Sequence, residues 1–240
     1  MPQSAPPVPD NRFISSLEPD DARALRPLLR RTTVTADHTV VEQGAPVTKV
    51  HFPIDAQFAN LIRYPDGRTL ETAVVGHEGL TGLAPFMADR PCAWEIVCRA
   101  TGSAWVASAP ALRALSLERP RLMQRLLLLT DLYQAQAALT AACIALHTVE
   151  ARMARWILTA SDLSPHDALI FRQEELGLLI GARRTTVSEV ASRLRRRKRI
   201  AYGRGIIRIT DREGLEAEAC DCYRMLRPRF DEFLGSTDAP

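Results

Sequence analysis

The sequence has no apolar run of the kind that crosses a membrane. Nowhere in its 240 residues do about 18 apolar side chains follow one another, which is the length a spanning helix needs. The first ten residues, MPQSAPPVPD, lack the basic start and the apolar core of a secretory signal. We therefore expect a cytoplasmic protein that does not contact membranes, with residues 1–19 forming a flexible tail.

Cysteine is scarce, and its spacing does not predict a metal site. There are five cysteines, an odd number, and they are scattered along the chain. In a protein without an export signal, reduced thiols are the expected state. Cys220 and Cys222 are separated by one residue, but no second pair accompanies them. We therefore expect no metal, and we assign these two thiols a packing role.

The familiar catalytic motifs are also absent. The sequence has no Gly-Lys-Ser phosphate-binding loop, no Gly-x-Ser-x-Gly and no His-Glu-x-x-His, and its five histidines are dispersed. None of these three motifs therefore brings together the side chains of a nucleophile–base pair or a catalytic metal site. We conclude that the protein is not an enzyme.

What the sequence does have is positive charge concentrated in one segment. Residues 183–200 read RRTTVSEVASRLRRRKRI, although the whole chain carries a net charge of only +3. Between residues 183 and 208 there are ten basic residues and one acid, Glu189. Such asymmetry indicates an anionic partner for this region alone. No aromatic residue lies in 183–200 to stack on bases, which disfavours single-stranded nucleic acid.

Residues 32–110 read as short strands separated by turns. Two apolar runs flank Pro65-Asp66-Gly67, and an Asp-Gly pair is a strong hairpin signal. Two further short strands are predicted around Gly102. Several strands at such close spacing favour an antiparallel barrel or roll. The preceding stretch EPDDARALRPLLR predicts a short helix, because its acids come first and its arginines last.

A long helix is predicted to begin at Pro120. PRLMQRLLLLTDLYQAQAALTAACIAL runs for 27 residues without glycine or an internal proline. It carries two apolar stripes. One comprises Leu128, Leu132, Ala135, Leu139, Ala142 and Leu146, and the other comprises Leu122, Leu126, Leu129 and Tyr133. One stripe can pack on the strands, and the second needs another partner. The spacing alone leaves open whether the helix is deeply buried or forms a coiled-coil-like dimer seam.

The last ninety residues have the pattern of a helix-turn-helix followed by a hairpin. TVEARMARWILTAS predicts an amphipathic helix, and FRQEELGLLIG predicts a short one in which Gly177 permits a close approach. Gly181 interrupts the helical pattern just before the basic segment, as expected for the turn between two such helices. IAYGRGIIRITD then predicts two strands joined by a turn at residues 203–205.

The basic segment itself is predicted to be an amphipathic helix. Val187, Val190, Ala191 and Leu194 share one face and should pack on the preceding helix. The opposite face carries arginine, serine, threonine and glutamate, the side chains that hydrogen-bond to base edges. Residues 195–199 have only the charge needed to bind phosphates. The DNA-binding residues predicted here are Arg183, Arg184, Thr185, Thr186, Ser188, Glu189, Arg193, Arg196 and Arg204.

Two simpler interpretations of the basic segment compete with DNA binding. Arginines on a helix can be no more than a solvated face, and a nuclear-import signal has a similar composition. Three features favour DNA: the short preceding helix with its glycine turn, the apolar inner stripe, and the glycine-rich hairpin that follows. A sensor that acts only through protein–protein contacts remains the alternative function.

The order of roll, long helix, helix-turn-helix and wing resembles the Crp/Fnr family of bacterial transcription regulators. The motifs that carry the resemblance are GLLIGARRTTVSEVASRL, VVEQGAPVTKVHFPIDAQ and AVVGHEGLTGLAPF. It implies an α+β fold: a flexible tail (1–19), an antiparallel β-roll sensor (20–118), a dimerisation helix (119–147) and a winged helix-turn-helix domain (148–240). It also implies a homodimer on a near-palindromic operator, with RNA polymerase as a partner. The dimer residues expected from it are Leu122, Leu126, Leu129, Leu132, Tyr133 and Leu139.

The sequence departs from the family where cyclic-AMP-binding members hold their ligand. The family's glutamate aligns with Gly82, beside Leu83, and its Arg-Ser pair aligns with Cys92 and Ala93. A cyclic nucleotide would lack charged partners there, so the pocket is expected to take some other effector or none. The first cysteine is Cys92, which argues against an iron–sulfur cluster near the N-terminus. Haem ligation by His77 with Cys92 or Cys98 is not expected either.

Further departures lie in the recognition helix. Many members have a glutamate at the position of Thr185 and an arginine at that of Glu189, so the usual operator half-site should not be assumed. Lys198 stands where the family commonly has the glycine that ends this helix. Either Lys198 adopts a left-handed conformation, at a cost of about 1 kcal/mol relative to glycine, or the helix continues past it.

Overall fold

The N-terminal half of the chain forms two antiparallel sheets with short helices at their ends. The computed structural model describes residues 10–164, 166, 168–170, 173–203 and 205–235. The strands of this half are β1 (Arg30–Val34), β2 (Thr39–Val41), β3 (Lys49–Pro53), β4 (Gln57–Arg63), β5 (Thr69–Val75), β6 (Glu95–Ala100) and β7 (Gly102–Ser108). The helices are α1 (Arg12–Ser15), α2 (Pro19–Leu25), α3 (Leu83–Ala88) and α4 (Ala109–Glu118), with a 3-10 turn at Arg26–Leu28. The strand orders are β1-β7-β3 and β2-β6-β4-β5.

The predicted hairpin and the predicted roll are both present. β4 and β5 pair from Arg63 and Thr69 onward around the turn, in which Gly67 has a φ of +85°. β6 and β7 flank residue 101, but they belong to different sheets. Gly102 starts β7 where the chain crosses between the sheets. A Cβ on Gly102 would lie 2.4 Å from the backbone nitrogen of Ala56, so no larger residue fits.

The expectation of a flexible tail is wrong for residues 10–19. Asn11 caps α1 by accepting a hydrogen bond from the backbone N–H of Ile14, and its amide donates to the carbonyls of Pro53 and Gly79 at 2.9 and 2.8 Å. Phe13 is completely buried beside Phe52. The buried ring of Phe13 and the hydrogen-bonded amide of Asn11 fix this stretch to the roll. Amino-acid composition alone does not reveal such contacts. Residues 1–9 lie outside the described part.

The long helix α5 spans Pro120–Leu146, as predicted, and packs one stripe on the roll. Leu122, Leu126 and Leu129 have no exposed surface and join the roll core, and Leu132 is nearly buried. The expectation that these leucines contact a partner subunit is therefore corrected, because their surface is already covered by the same chain. By length and hydropathy α5 could also cross a membrane, a property that a helix packed into a core can share.

The C-terminal part forms a second core around a three-stranded sheet. Its elements are α6 (Val149–Asp162), β8 (Ala168–Ile170), α7 (Gln173–Ile180), α8 (Arg184–Arg196), β9 (Ile200–Gly203), β10 (Ile206–Ile209), α9 (Arg212–Glu218) and α10 (Asp221–Leu234). The predicted helix-turn-helix is α7–α8, and the predicted hairpin is β9–β10. The strand β8, which pairs with β10, was not predicted.

The last helix returns to the roll. Phe230 and Phe233 of α10 pack against the core that contains Phe13, with the Phe13 and Phe233 ring centroids 6.3 Å apart. The Arg125 guanidinium of α5 lies 3.9 Å from the Phe233 ring centroid and donates to the Phe233 carbonyl at 2.7 Å. The C-terminal part is thereby fastened to the roll through α5 and α10.

Candidate nucleic-acid interface

The position of α8 is set by the turn that precedes it. Gly181 has a φ of +60°, and the backbone N–H of Ala182 donates to the carbonyl of Gly177 at 3.0 Å. A Cβ on Gly177 would lie 2.9 Å from the carbonyl oxygen of Ala182, so the glycine permits this close approach. Val187, Val190, Ala191 and Leu194 are buried in the second core, as predicted from the helical wheel. The opposite side of α8 consequently faces outward.

The first turns of α8 present most of the predicted DNA-binding residues to solvent. Arg183, Arg184, Thr185 and Glu189 are exposed, and Thr186 and Ser188 are partly exposed. The Ser188 hydroxyl donates to the carbonyl of Arg184 at 3.1 Å. Arg183 is the N-cap residue, and its side chain forms no capping hydrogen bond. Mixed donors and acceptors therefore meet at a helix N-terminus that the side chain of its N-cap residue does not cap, an arrangement that suits base edges and a phosphate.

The other end of the basic segment is built differently, because acids from elsewhere in the domain pair with three of the five arginines between residues 193 and 199. Arg193 Nε donates to Glu150 at 2.9 Å, and Arg197 binds both Glu150 (2.6 Å) and Glu218 (2.9 Å). Arg199 continues the series with Glu218 at 2.8 Å and with Asp211. We call this series of ion pairs the charge ladder.

The charge ladder changes the roles of the C-terminal arginines. Arg193 was predicted to contact bases or phosphates, but the structure pairs it with an acid of α6. Arg195 and Arg196 are exposed and have no ion pair within the described part of the chain. The acids were missed because Glu150 lies 43 residues before Arg193, and nothing in the local sequence links the two. Arg204, the predicted wing contact, lies outside the described residues.

Lys198 adopts the first of the two conformations considered for it. Its φ is +60°, and α8 ends at Arg196. The N–H of Arg199 donates to the carbonyl of Leu194, and the N–H of Lys198 donates to that of Arg195, each at 3.0 Å. These two bonds form a Schellman motif, in which glycine usually occupies the left-handed position. Because the turn into the wing requires this left-handed backbone conformation, lysine is strained here where glycine would not be.

The roll and α5 enclose a cavity that contains half of the predicted ligand residues. It has a volume of about 300 Å³, and both Gly82 and Leu83 line it. Cys92 is instead fully buried in the core of the second sheet, and Ala93 is exposed outside the cavity. The prediction is thus corrected at these two positions, because the chain turns after Cys92 and presents Trp94 to the cavity.

The chemistry of the cavity is neutral. Its polar lining residues are Asn60, Thr72, Thr130, Tyr133 and Gln134, and no charged side chain is among them. The indole N–H of Trp94 and the amide oxygen of Asn60 are buried and have no hydrogen-bond partner among the residues that the structure describes. A buried donor and a buried acceptor without partners leave one hydrogen bond of each kind available to a bound molecule.

Beside this cavity a carboxyl group is buried under α5. Glu78 is almost fully buried, which raises its pKa to about 7, although it accepts hydrogen bonds from the backbone N–H of Gly76. The hydroxyl of Tyr133 donates to Glu78 at 3.3 Å. Burial also raises the pKa of Tyr133. Tyr133, expected at a dimer seam, therefore bonds within its own chain.

The comparisons with known proteins agree with this geometry. Residues 151–218 match the family model described as a Crp-like helix-turn-helix domain. The chain carries a Crp-like helix-turn-helix domain. The match contains α7, α8 and the wing, so the exposed face described above is the outer face of the second helix of the domain. None of the curated proteins matches the sequence at a significant level.

Solved structures extend the likeness to most of the chain. FixK2 from Bradyrhizobium japonicum has a TM-score of 0.71 at 15% identity, covering 80% of this chain and 98% of that one. The regulator CLP from Xanthomonas campestris, described as c-di-GMP responsive, has a TM-score of 0.63 at 16% identity, covering 81% and 100%. The Crp/Fnr-family regulator TTHA1359 from Thermus thermophilus has a TM-score of 0.61 at 20% identity, covering 79% and 98%. The chain thus has the Crp/Fnr regulator fold that the sequence resemblance implied.

Proposed function

We propose that the protein is a cytoplasmic transcription regulator that binds specific sequences in double-stranded DNA. The observation that carries the proposal is the exposed N-terminal half of α8, where Arg184, Thr185 and Glu189 stand together in a Crp-like helix-turn-helix domain. In such domains the N-terminal residues of the second helix contact base edges in the major groove. Arg195 and Arg196 lie farther along the same helix, where they would bind phosphates.

We propose further that the regulator acts as a homodimer joined along α5. The leucines that face the roll are covered, but another stripe of α5 is exposed. It includes Leu127, Leu128, Ala138, Ala141 and Leu146, of which Leu128 and Leu146 belong to a stripe predicted from the sequence. Pairing this stripe with that of a second copy would bury it, as in a coiled coil. Two recognition helices would then bind successive major grooves of a near-palindromic operator. Contacts with RNA polymerase belong to the same proposal.

The effector expected from the cavity is a neutral, largely apolar small molecule. It would accept a hydrogen bond from Trp94 and donate one to Asn60, which supplies the two partners these buried atoms lack. A cyclic nucleotide fits poorly, because no lysine or arginine of the described residues lines the cavity to pair with its phosphate. Haem and iron–sulfur clusters are not part of this proposal.

The DNA-binding proposal is tested by selecting binding sites from a random duplex library. We expect enrichment of a near-palindromic sequence whose half-sites are about one helical turn apart. If the protein retained duplexes but enriched no sequence, the result would contradict sequence-specific DNA binding. No retention even at low salt would favour the alternative, a sensor acting through protein contacts.

The dimer is tested by sedimentation at micromolar concentration. We expect a dimer for the wild type and a monomer for Leu128→Glu, since a charge would be buried in the seam. Leu117→Glu on α4 is the matched control, because Leu117 is an exposed leucine outside the stripe. A monomeric wild type, or a Leu128→Glu variant that remains dimeric, would contradict the proposed seam.

A further inference from the structure

Four metal-binding side chains converge where α5 ends and α10 begins. Cys143 and His147 are one helical turn apart, and the backbone N–H of His147 donates to the carbonyl of Cys143 at 3.1 Å. Cys220 immediately precedes α10, and Cys222 lies in its first turn. The four ligand atoms all lie within 4.8 Å of one another. Sequence spacing did not predict this group, because its two pairs are more than 70 residues apart.

Two of the six separations between ligand atoms are close to those around one tetrahedral ion. The sulfurs of Cys143 and Cys220 are 3.4 Å apart, and the Cys222 sulfur is 3.6 Å from Nδ1 of His147. Zinc bonds of about 2.3 Å to sulfur and about 2.0–2.1 Å to nitrogen place tetrahedral ligands roughly 3.5–3.8 Å apart. An iron–sulfur cluster would hold its cysteines farther apart, since several metal atoms lie between them.

The burial of the group is that of a closed, structural site. The three cysteines are buried, and His147 is half-buried. Leu139 and Ala151 pack against the thiols, so protein atoms cover them rather than solvent. With four protein ligands and little room for water, the group has the composition of a structural zinc site, which keeps no open position for a substrate. A soft Cys₃His set also favours zinc over magnesium, calcium or manganese.

The surroundings supply the charge that such a site requires. Three thiolates and a neutral imidazole around Zn²⁺ carry a net charge of −1. Arg155 is nearly buried, and its positive charge acts on all three sulfurs. Within the described part of the chain its guanidinium has no acidic partner and donates only to the hydroxyl of Thr140, at 3.2 Å. The N-terminus of α10, at Cys220, adds a favourable dipole.

We propose that Cys143, His147, Cys220 and Cys222 bind one zinc ion per chain. The ion joins the last turn of α5 to the first turn of α10, next to residue 148, where the chain passes from the long helix into the DNA-binding part. It would therefore fix the position of the helix-turn-helix domain relative to α5. Because the ligands come from two distant segments, binding the metal also stabilises the folded chain.

The proposal is tested by the metal content and coordination of the full-length protein after expression in zinc-supplemented medium. We expect one zinc ion per chain, with X-ray absorption showing three sulfur ligands and one nitrogen at about 2.3 and 2.0–2.1 Å. Cys222→Ser should lose most of the zinc, whereas Cys222→His, which restores a ligand, should retain it. Cys98→Ser is the matched control, since Cys98 is buried in the roll.

A second measurement on the wild type guards against variants that fail to fold. Removing zinc with a chelator should lower the melting temperature, and adding zinc back should restore it. Replacing zinc by cobalt should produce the visible absorption of a tetrahedral thiolate site. A protein that takes up no zinc, zinc that Cys222→Ser retains in full, or a Cys143–Cys220 disulfide in its place would overturn the proposal.

Discussion

The titratable groups buried in the roll and the arginines of α8 in the DNA-binding part lie in opposite environments. In the roll, burial raises the pKa of Glu78 to about 7 and lowers those of His51 and His77 to about 4. In the DNA-binding part, the arginines of α8 are exposed or form the charge ladder at the surface. The roll should therefore respond mainly to pH, and the DNA-binding surface mainly to salt.

The physical reason for the difference is solvation. Removing a carboxylate from water penalises its charged form, and salt in solution hardly reaches it. Arginine remains charged at every physiological pH, but mobile ions screen it within about 10 Å at 0.1 M salt. A change of pH should thus affect mainly the roll, and a change of salt concentration should affect mainly the DNA-binding surface.

The largest effect is expected from Glu78→Gln. Between its ordinary value of 4.5 and its folded value of about 7, the folded state keeps a proton that the unfolded state has released. The free energy of unfolding should therefore fall as pH rises through this window, by about 3 kcal/mol in all, and Glu78→Gln should remove that loss. Urea unfolding of both proteins at pH 5 and pH 8 measures the difference.

His51 and His77 act with the opposite sign, so only the difference between variant and wild type isolates Glu78. Their lowered pKa values, about 4 against 6.5, mean that the unfolded state binds more protons between these values, and stability rises with pH. Parallel stability curves for the wild type and Glu78→Gln would show that the carboxyl group titrates normally.

On the DNA-binding side, Arg184→Ala should have the largest effect. Losing a side chain that contacts base edges should cost about 1–3 kcal/mol of operator binding and relax specificity at that position. Fluorescence anisotropy with the selected operator and with single-base variants measures both quantities. If affinity fell equally for every duplex, Arg184 would be a phosphate contact instead.

Arg196→Ala should weaken binding to all duplexes alike. An exposed arginine without an ion pair in the described residues is free to neutralise a phosphate, so its loss should reduce the salt slope of log K by about 1. Titrations at several salt concentrations measure this slope. Arg197→Ala provides the contrast. Because Arg197 already binds Glu150 and Glu218, its loss should change the salt slope less than the loss of Arg196.

The smallest effect is expected from Lys198→Gly. Glycine removes the strain of the left-handed backbone, about 1–2 kcal/mol, but increases the conformational entropy of the unfolded chain. The free energy of unfolding should therefore rise by roughly 0.5 kcal/mol. Lys198→Ala is the matched control, because it removes the same charge and keeps the strained Cβ. Equal unfolding midpoints for the two variants would mean that the backbone conformation carries no cost.

Local patterns predicted the elements well and their partners poorly. The hairpin around Gly67, the limits of α5 and the buried face of α8 depend on periodicity and turn chemistry within a few residues. By contrast, the apolar side chains of α5 look alike in sequence, and only packing on the roll decides which of them are covered. The charge ladder and the grouping of His147 with three cysteines join distant segments, for which the sequence carries no local signal.

The ring contact between Phe13 and Phe233 has a consequence for how the chain is synthesised. The roll begins to leave the ribosome first, but the last helix must emerge before this part of its core is covered. Until then the nascent roll exposes the apolar surface around Phe13. The core of the roll is thus completed only when translation of the DNA-binding part is finished. A product truncated before α10 would expose this apolar surface and would be prone to aggregate, instead of forming an independent sensor domain.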